Sequence, residues 1–368
     1  MFRPPPSALR CAILCASVLA ARAVIPYGHA FNSPGDFSPS AYAFIAATYP
    51  VFTVEKRHAS AVYGNASAPA ASPHRTNSIA ASVGTARRIK QLNASAKVLM
   101  YWNSALHWNF YECEEEVAPG WLLPPSHRLA VPSYNYAVPA FRAWWVRCAV
   151  DALRGSGGAL DGLFIDAVPK LTWAGQPADA LALWGAMLDA LRAALPGALL
   201  LFNGDFFGAN GAVVANATLL QHADAVYIES LASLGASGAG APAPGASIAY
   251  LRYLAASAAA APPAKRFFGH GLLNASSGGG GGGGDGAFTF GLAVFLLVAR
   301  GDPAEDFFLA NDGYQVDQGV LVPHPEYDLE LGAPRGPFTV KGHVLTREFE
   351  RATVVADLDA RRGAITQL

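Results

Sequence analysis

The chain has 368 residues, a formal net charge of −1 and a charged fraction of 14%. That length exceeds a minimal domain and fits one barrel of about 250 residues or more carrying insertions. The near-neutral balance and the lack of a basic tract speak against nucleic acid or an anionic membrane surface as a partner.

In chain order, Arg3 and Arg10 precede an apolar stretch over residues 11–20, which leads into the small-residue site Ala21-Arg22-Ala23. This is the layout of a signal peptide. The stretch is shorter than the roughly 20 residues of a permanent membrane anchor. A cleaved signal over residues 1–23 is expected, with an uncleaved anchor as the alternative. The mature chain would then be secreted or lumenal, without a stable membrane span. Cys11 and Cys15 would leave with the signal, and Cys113 and Cys148 would remain. Their pairing in a disulfide is expected, with two buried thiols as the alternative. Sequons begin at Asn65, Asn93, Asn216 and Asn274 and become glycosylation sites on the export route.

Short, nearly continuous apolar runs follow at residues 23–27, 50–54, 97–102, 162–165, 198–202, 223–228, 266–269 and 306–310. Such runs suit strands covered on both faces. Helical patterns over residues 78–92, 139–153, 178–195 and 287–299 lie between them. Repeated strand–helix alternation with eight strands predicts a closed (β/α)8 barrel over residues 24–330 rather than an open doubly wound sheet. A short β-rich segment over residues 331–368 closes the chain. Residues 231–247 and 255–264, and the glycine run over residues 278–284, read as loop insertions or linkers.

In such a barrel the functional side chains stand where strands end. Those positions here are Glu55, Asn103, Asp166, Asn203, Glu229, His270 and Asn311-Asp312, nearly all polar. Asp166 directly follows three bulky apolar residues and Glu229 ends a strand two further on, so both can face one sugar. Hydrolysis of a glycosidic bond needs such a pair, one carboxylate ionised and one carboxyl protonated. The competing readings are a helix-capping Asp and ordinary loop acids. Glu55 is the reserve. Asp161, at the opposite strand end, is assigned a structural role, and Glu112, Glu114, Glu115 and Glu116 a solvated loop. Tyr101 and Trp102, with Asn103 and His107, crowd the same end and are candidates for binding a sugar, as are Asn203, His270 and Asp312; plain core packing is the alternative for any one ring. No His-Glu-x-x-His, spaced Cys/His set or Gly-x-Ser-x-Gly elbow is present and no phosphate-binding glycine fingerprint follows the first strand, so no metal or cofactor is expected.

Three segments carry a family resemblance: Lys97-Val-Leu-Met-Tyr-Trp-Asn103, Tyr134-Asn-Tyr-Ala-Val-Pro-Ala-Phe-Arg-Ala-Trp-Trp145 and Asp161-Gly-Leu-Phe-Ile-Asp166. With Tyr327-Asp-Leu-Glu-Leu-Gly-Ala-Pro-Arg-Gly336 and Thr346-Arg-Glu-Phe-Glu-Arg-Ala-Thr-Val-Val-Ala356, they resemble the (β/α)8-barrel hypothetical glycosyl hydrolase families. Asn135 stands where an Asp is usual, and Ala352 where a Gly is usual. The resemblance implies that Asp166, after the fourth strand, is the nucleophile and Glu229, after the sixth, the general acid/base. The expected protein is thus a monomeric, two-carboxylate glycosidase acting on an oligo- or polysaccharide. A carbohydrate-binding barrel without catalysis is the alternative, and a polysaccharide lyase or esterase using His270 as base is a third reading.

Overall fold

The computed structural model describes residues 24–30, 36–56, 78–125, 131–167, 175–203, 222–229, 231, 234, 243–261, 265–272, 285–301, 306–311 and 321–368. Residues 1–23, where a signal is expected, the glycine run, Asp312 and the sequons at Asn65, Asn216 and Asn274 lie outside them.

Eight parallel strands close into a barrel: β1 (Ile25–Ala30), β2 (Val51–Val54), β3 (Lys97–Asn103), β6 (Gly162–Asp166), β7 (Leu199–Asn203), β8 (Ala225–Ile228), β9 (Arg266–Leu272) and β10 (Phe307–Asn311). Around the ring the order is β1-β10-β9-β8-β7-β6-β3-β2, so chain neighbours lie side by side. This is the (β/α)8 fold. A small antiparallel pair, β4 (Leu122–Leu123) and β5 (Ser133–Tyr134), interrupts the passage from the third barrel strand to the fourth.

Packing divides the chain into two units. The first, Tyr27–Glu229 with Leu309–Val322, holds helices α1 (Pro39–Thr48), α2 (Ser78–Leu92), α3 (Pro139–Gly155) and α4 (Ala180–Ala194). α1 begins where the Ser38 hydroxyl accepts the Ala41 N–H at 3.2 Å. α3 starts on Pro139 and buries Phe141, Trp144, Trp145 and Cys148 on one face. Trp145 Nε1 donates to the Asn103 carbonyl at 2.9 Å, which fixes the end of β3. Gly162 is required at the start of β6, because a Cβ there would lie 1.9 Å from the Leu199 carbonyl oxygen. Asp161 beside it accepts the Val98 N–H at 2.8 Å and ion-pairs with Lys90 at 2.8 Å, a structural brace at the N-terminal strand end. Cys113 and Cys148 form a disulfide with their Cα atoms 6.2 Å apart, tying the loop after β3 to α3.

The second unit holds α5 (Pro244–Ala260), α6 (Asp285–Val298) and a four-stranded antiparallel sheet: β11 (Thr339–Lys341), β12 (Val344–Glu348), β13 (Ala352–Asp357) and β14 (Arg362–Gln367). Alternation in β13 buries Ala352, Val354 and Ala356. Gly363 passes so close to α6 that a Cβ would lie 2.4 Å from the Thr289 carbonyl oxygen. Arg347 donates to the Leu296 carbonyl at 2.8 Å and the Ala299 carbonyl at 2.5 Å, satisfying the open end of α6. α5 corrects the linker expectation: much of residues 244–260 is alanine, the best helix former, so it takes a 17-residue helix. Among the described residues no helix is long and apolar enough to cross a membrane.

Candidate active site

Every second side chain of a barrel strand points inward. In the first unit this produces a layer of rings, Tyr27, Tyr101, Phe164 and Tyr227. Phe164 lies 6.0 Å from Tyr101 and 5.1 Å from Tyr227, and Tyr227 lies 6.0 Å from Tyr27, centre to centre. Two residues further along the same strands stand His29, Asn103, Asp166 and Glu229, joined by Glu55 after β2 and Asn203 at the end of β7. A polar layer therefore sits on an aromatic floor, and the His29 ring meets Phe164 edge-on at 4.7 Å.

Donors converge on Asp166. One oxygen accepts from the Tyr101 hydroxyl and from Asn103 Nδ2 at 3.2 Å. The other accepts from Asn203 Nδ2 at 2.8 Å and from the Ala167 N–H at 2.7 Å. Burial, with Asp166 and Glu55 nearby, pushes the Tyr101 pKa well above its usual value, so Tyr101 keeps its proton and remains a donor. Ala167 has φ +65°, a conformation that costs a residue with a Cβ and is held here beside the carboxylate. The Asp166 carbonyl is pinned in turn by the Ser104 N–H at 3.0 Å and the Ser104 hydroxyl at 2.5 Å.

Asn203 joins the two acids. Its Nδ2 donates to Asp166 Oδ1 at 2.8 Å and to Glu229 Oε2 at 3.0 Å. An NH2 group that serves both acceptors keeps these oxygens within about 6 Å of each other. Because both partners are acceptors, the NH2 and not the carbonyl must face them.

A second carboxylate cluster adjoins the first. Glu55 is 3% exposed and takes both a 2.8 Å and a 2.9 Å bond from the Lys56 ammonium. His29 Nε2 stands 4.0 Å from Glu55 Oε1. Burial raises Glu55 to about 7, with Lys56 opposing the shift and the Asp166 charge adding to it. Lys56 and His29 were not among the sequence candidates. Their signal was present: Lys56 directly follows a strand-end Glu, and His29 lies two residues beyond Tyr27, since β1 runs to Ala30 rather than ending at Tyr27.

Other candidates fall elsewhere. Trp102 is 2% exposed and points away from the polar layer, between Tyr111 at 5.3 Å, Trp145 at 5.9 Å and Trp144 at 6.2 Å; it is core between β3 and α3, which corrects its assignment to sugar stacking. Strand alternation requires this, since Tyr101 faces inward. Asn103 spends its oxygen on the Ala105 N–H at 2.9 Å and the Leu106 N–H at 2.6 Å and acts as a brace. His107 sits 3.6 Å from Glu114 and edge-on to Tyr134. Glu114 corrects the solvated-loop reading: it is buried, accepting from the Phe110 N–H at 2.5 Å, the Tyr111 N–H at 2.9 Å and the Tyr134 hydroxyl at 2.9 Å. Glu112 accepts the Ile79 N–H at 3.1 Å in the first turn of α2. His270 lies inside β9, since that strand continues to Leu272; burial lowers it to about 3, so it is neutral near pH 7. Asn93 closes a turn with the Ser95 N–H at 3.1 Å and donates to the Ala46 carbonyl at 2.8 Å. Two cavities, of about 480 Å³ beside the disulfide and about 690 Å³ beside α5, are lined by none of the strand-end acids. Among the described residues no group of three or more His, Cys, Asp or Glu could hold a metal ion.

A closed (β/α)8 barrel with two bridged carboxylates on the ends of its fourth and sixth strands has the architecture of a glycosidase. Residues 90–353 match the model of hypothetical glycosyl hydrolase family 15, and the chain belongs to that family. Family and fold together make it a glycosidase. Among solved structures the chain is similar to an alpha-amylase from Lactobacillus plantarum, at 11% identity over 92% of this chain and 88% of that one with a TM-score of 0.53. It is also similar to a noncanonic maltogenic alpha-amylase from Thermotoga neapolitana, at 11% identity over 91% and 86% with a TM-score of 0.51. At such identity these likenesses bear on the fold alone. No curated protein sequence matches the chain.

Proposed function

We propose that this chain is an exported glycosidase that cleaves O-glycosidic bonds of an oligo- or polysaccharide with Asp166 as nucleophile and Glu229 as general acid/base. The observation that carries the reading is the Asn203 amide shared between the two carboxylates at 2.8 and 3.0 Å. Two carboxylates held by one amide stand near enough for both to reach one sugar ring, which supports reading the reaction as a retaining double displacement.

Glu229 gives its proton to the leaving oxygen as an Asp166 oxygen attacks the anomeric carbon. The C1–O bond to the leaving group breaks and a glycosyl ester forms. Glu229, now ionised, takes a proton from water, whose oxygen attacks C1 and releases Asp166. Donors from Tyr101, Asn103, Asn203 and the Ala167 N–H suit Asp166 to the ionised role. Export with cleavage near Ala23 is supported by the signal layout and by the Cys113–Cys148 disulfide, which persists in oxidising compartments.

The test is turnover of a panel of aryl glycosides and polysaccharides by the wild type, Asp166→Asn and Glu229→Gln. The wild type should release sugar, and each variant should lose about three orders of magnitude or more while staying folded. Near-normal turnover in either variant, or binding without hydrolysis in the wild type, rejects the reading.

A further inference from the structure

The chemistry above leaves one charged pair unused. Glu55 and Lys56 are adjacent in sequence, both nearly buried, and the ammonium lies 4.1 Å from the centre of the Tyr101 ring and 5.1 Å from that of Trp108. Tyr101 is the residue that donates to Asp166, so this pair borders the carboxylates directly. A buried ion pair gains little over an apolar pair of the same volume, because desolvation offsets the attraction. Stability alone therefore gives weak grounds for its presence. Two further groups point to a ligand. The half-exposed Trp108 has an indole N–H with no acceptor among the described residues, and the carbonyl oxygen of Asn203, in a side chain 8% exposed, likewise has no donor.

We propose that Glu55, Lys56 and Trp108 form a hydroxyl-reading subsite for a neutral sugar, with Lys56 as its specificity-determining residue. The inference rests on the glycosidase reading and names the substrate class. A carboxylate accepts one hydroxyl of a vicinal diol, the ammonium donates to its neighbour, and the Trp108 N–H and ring face take a third oxygen and the C–H face. The charges choose a neutral sugar. The ionised Asp166 opposes a uronate, and the protonated amino group of an amino sugar has no lone pair to accept from the Lys56 ammonium.

The experiment uses the full chain with p-nitrophenyl glycosides and their monodeoxy analogues. In the wild type, removing a hydroxyl read by this subsite should lower kcat/KM by roughly ten- to a hundredfold. Lys56→Met should show that loss on the parent glycoside, mostly through KM, and almost no further loss on the deoxy analogue. Equal discrimination by Lys56→Met and wild type overturns the proposal. If Lys56→Met does not fold, Lys56→Arg, which keeps the charge but moves the donors, must lose the same discrimination. Tryptophan fluorescence of folded Asp166→Asn, titrated with the same glycosides, separates the two readings. Quenching that disappears on adding the Lys56 change supports the subsite even where the wild type hydrolyses nothing, an outcome that rejects only the glycosidase reading. No binding of any glycoside overturns the subsite.

Discussion

Replacing Asn203 with Ala removes the amide between the two acids. Two hydrogen bonds to carboxylates are lost, at 2.8 and 3.0 Å, each of the kind that contributes about 1.5–3 kcal/mol. Carboxylate oxygens about 6 Å apart, when both are ionised, repel by roughly 3 kcal/mol at an effective dielectric of about 20, and the amide no longer offsets it. A loss of about 3–4 kcal/mol in transition-state stabilisation corresponds to a kcat lower by about two to three orders of magnitude. KM should change less than kcat, because both amide hydrogens are committed to protein acceptors and only the side-chain oxygen is left to meet a ligand. The acid limb of the kcat/KM profile should move upward in pH, since the uncompensated pair holds a proton more tightly. The assay is kcat, KM and their pH dependence on an aryl glycoside. A raised KM with unchanged kcat and an unmoved profile would show that Asn203 binds sugar instead, and would refute the bridging argument.

Burial raises Glu55 to about 7, so the folded state holds its proton more tightly than the unfolded chain does. Its contribution is fully present below the ordinary carboxylate range and is lost as pH rises through about 7, to the extent of about 3 kcal/mol; urea melts from pH 4 to 8 should show a flatter pH dependence in Glu55→Gln, and an unchanged slope counts against the assignment. His270, lowered to about 3, shifts the balance the other way: stability falls as pH drops below about 6.5, and His270→Gln should soften the acid limb of the same melts. Trp102→Ala should destabilise by about 3–5 kcal/mol while leaving KM of the folded fraction unchanged; a KM effect without a stability loss would return Trp102 to the sugar site. Reducing the 35-residue Cys113–Cys148 link should cost about 3–4 kcal/mol in the chain-entropy model, and equal melting temperatures with and without reductant would contradict that.

The barrel was legible because its strands are buried on both faces and therefore read as unbroken apolar runs, such as residues 162–165 and 198–202. The acids at their ends were legible for the same reason: Asp166 and Glu229 interrupt apolar runs at once. Which face a strand-end ring takes was harder to read. Tyr101 and Trp102 look equivalent in sequence, yet alternation sends one to the Asp166 carboxylate and the other into the α3 interface. Glu114 was misread because its neighbours Glu115 and Glu116 are exposed, and only the fold reveals the two N–H groups and the tyrosine that gather on it. The alanine-rich stretch now seen as α5 resembles a linker by composition, whereas helix propensity favours the opposite. The link between Asn203 and both carboxylates joins residues 37 and 26 positions apart, and no local pattern encodes it.

The division of labour between Asp166 and Glu229 is the central claim, and trapping the covalent intermediate tests it most directly. Incubation with a 2-deoxy-2-fluoro glycoside carrying an activated leaving group, followed by peptide mass spectrometry, should place one glycosyl ester on Asp166, with enzyme regaining activity as the ester hydrolyses. A label on Glu229, or no label from an enzyme whose product shows inverted anomeric configuration, would contradict the account.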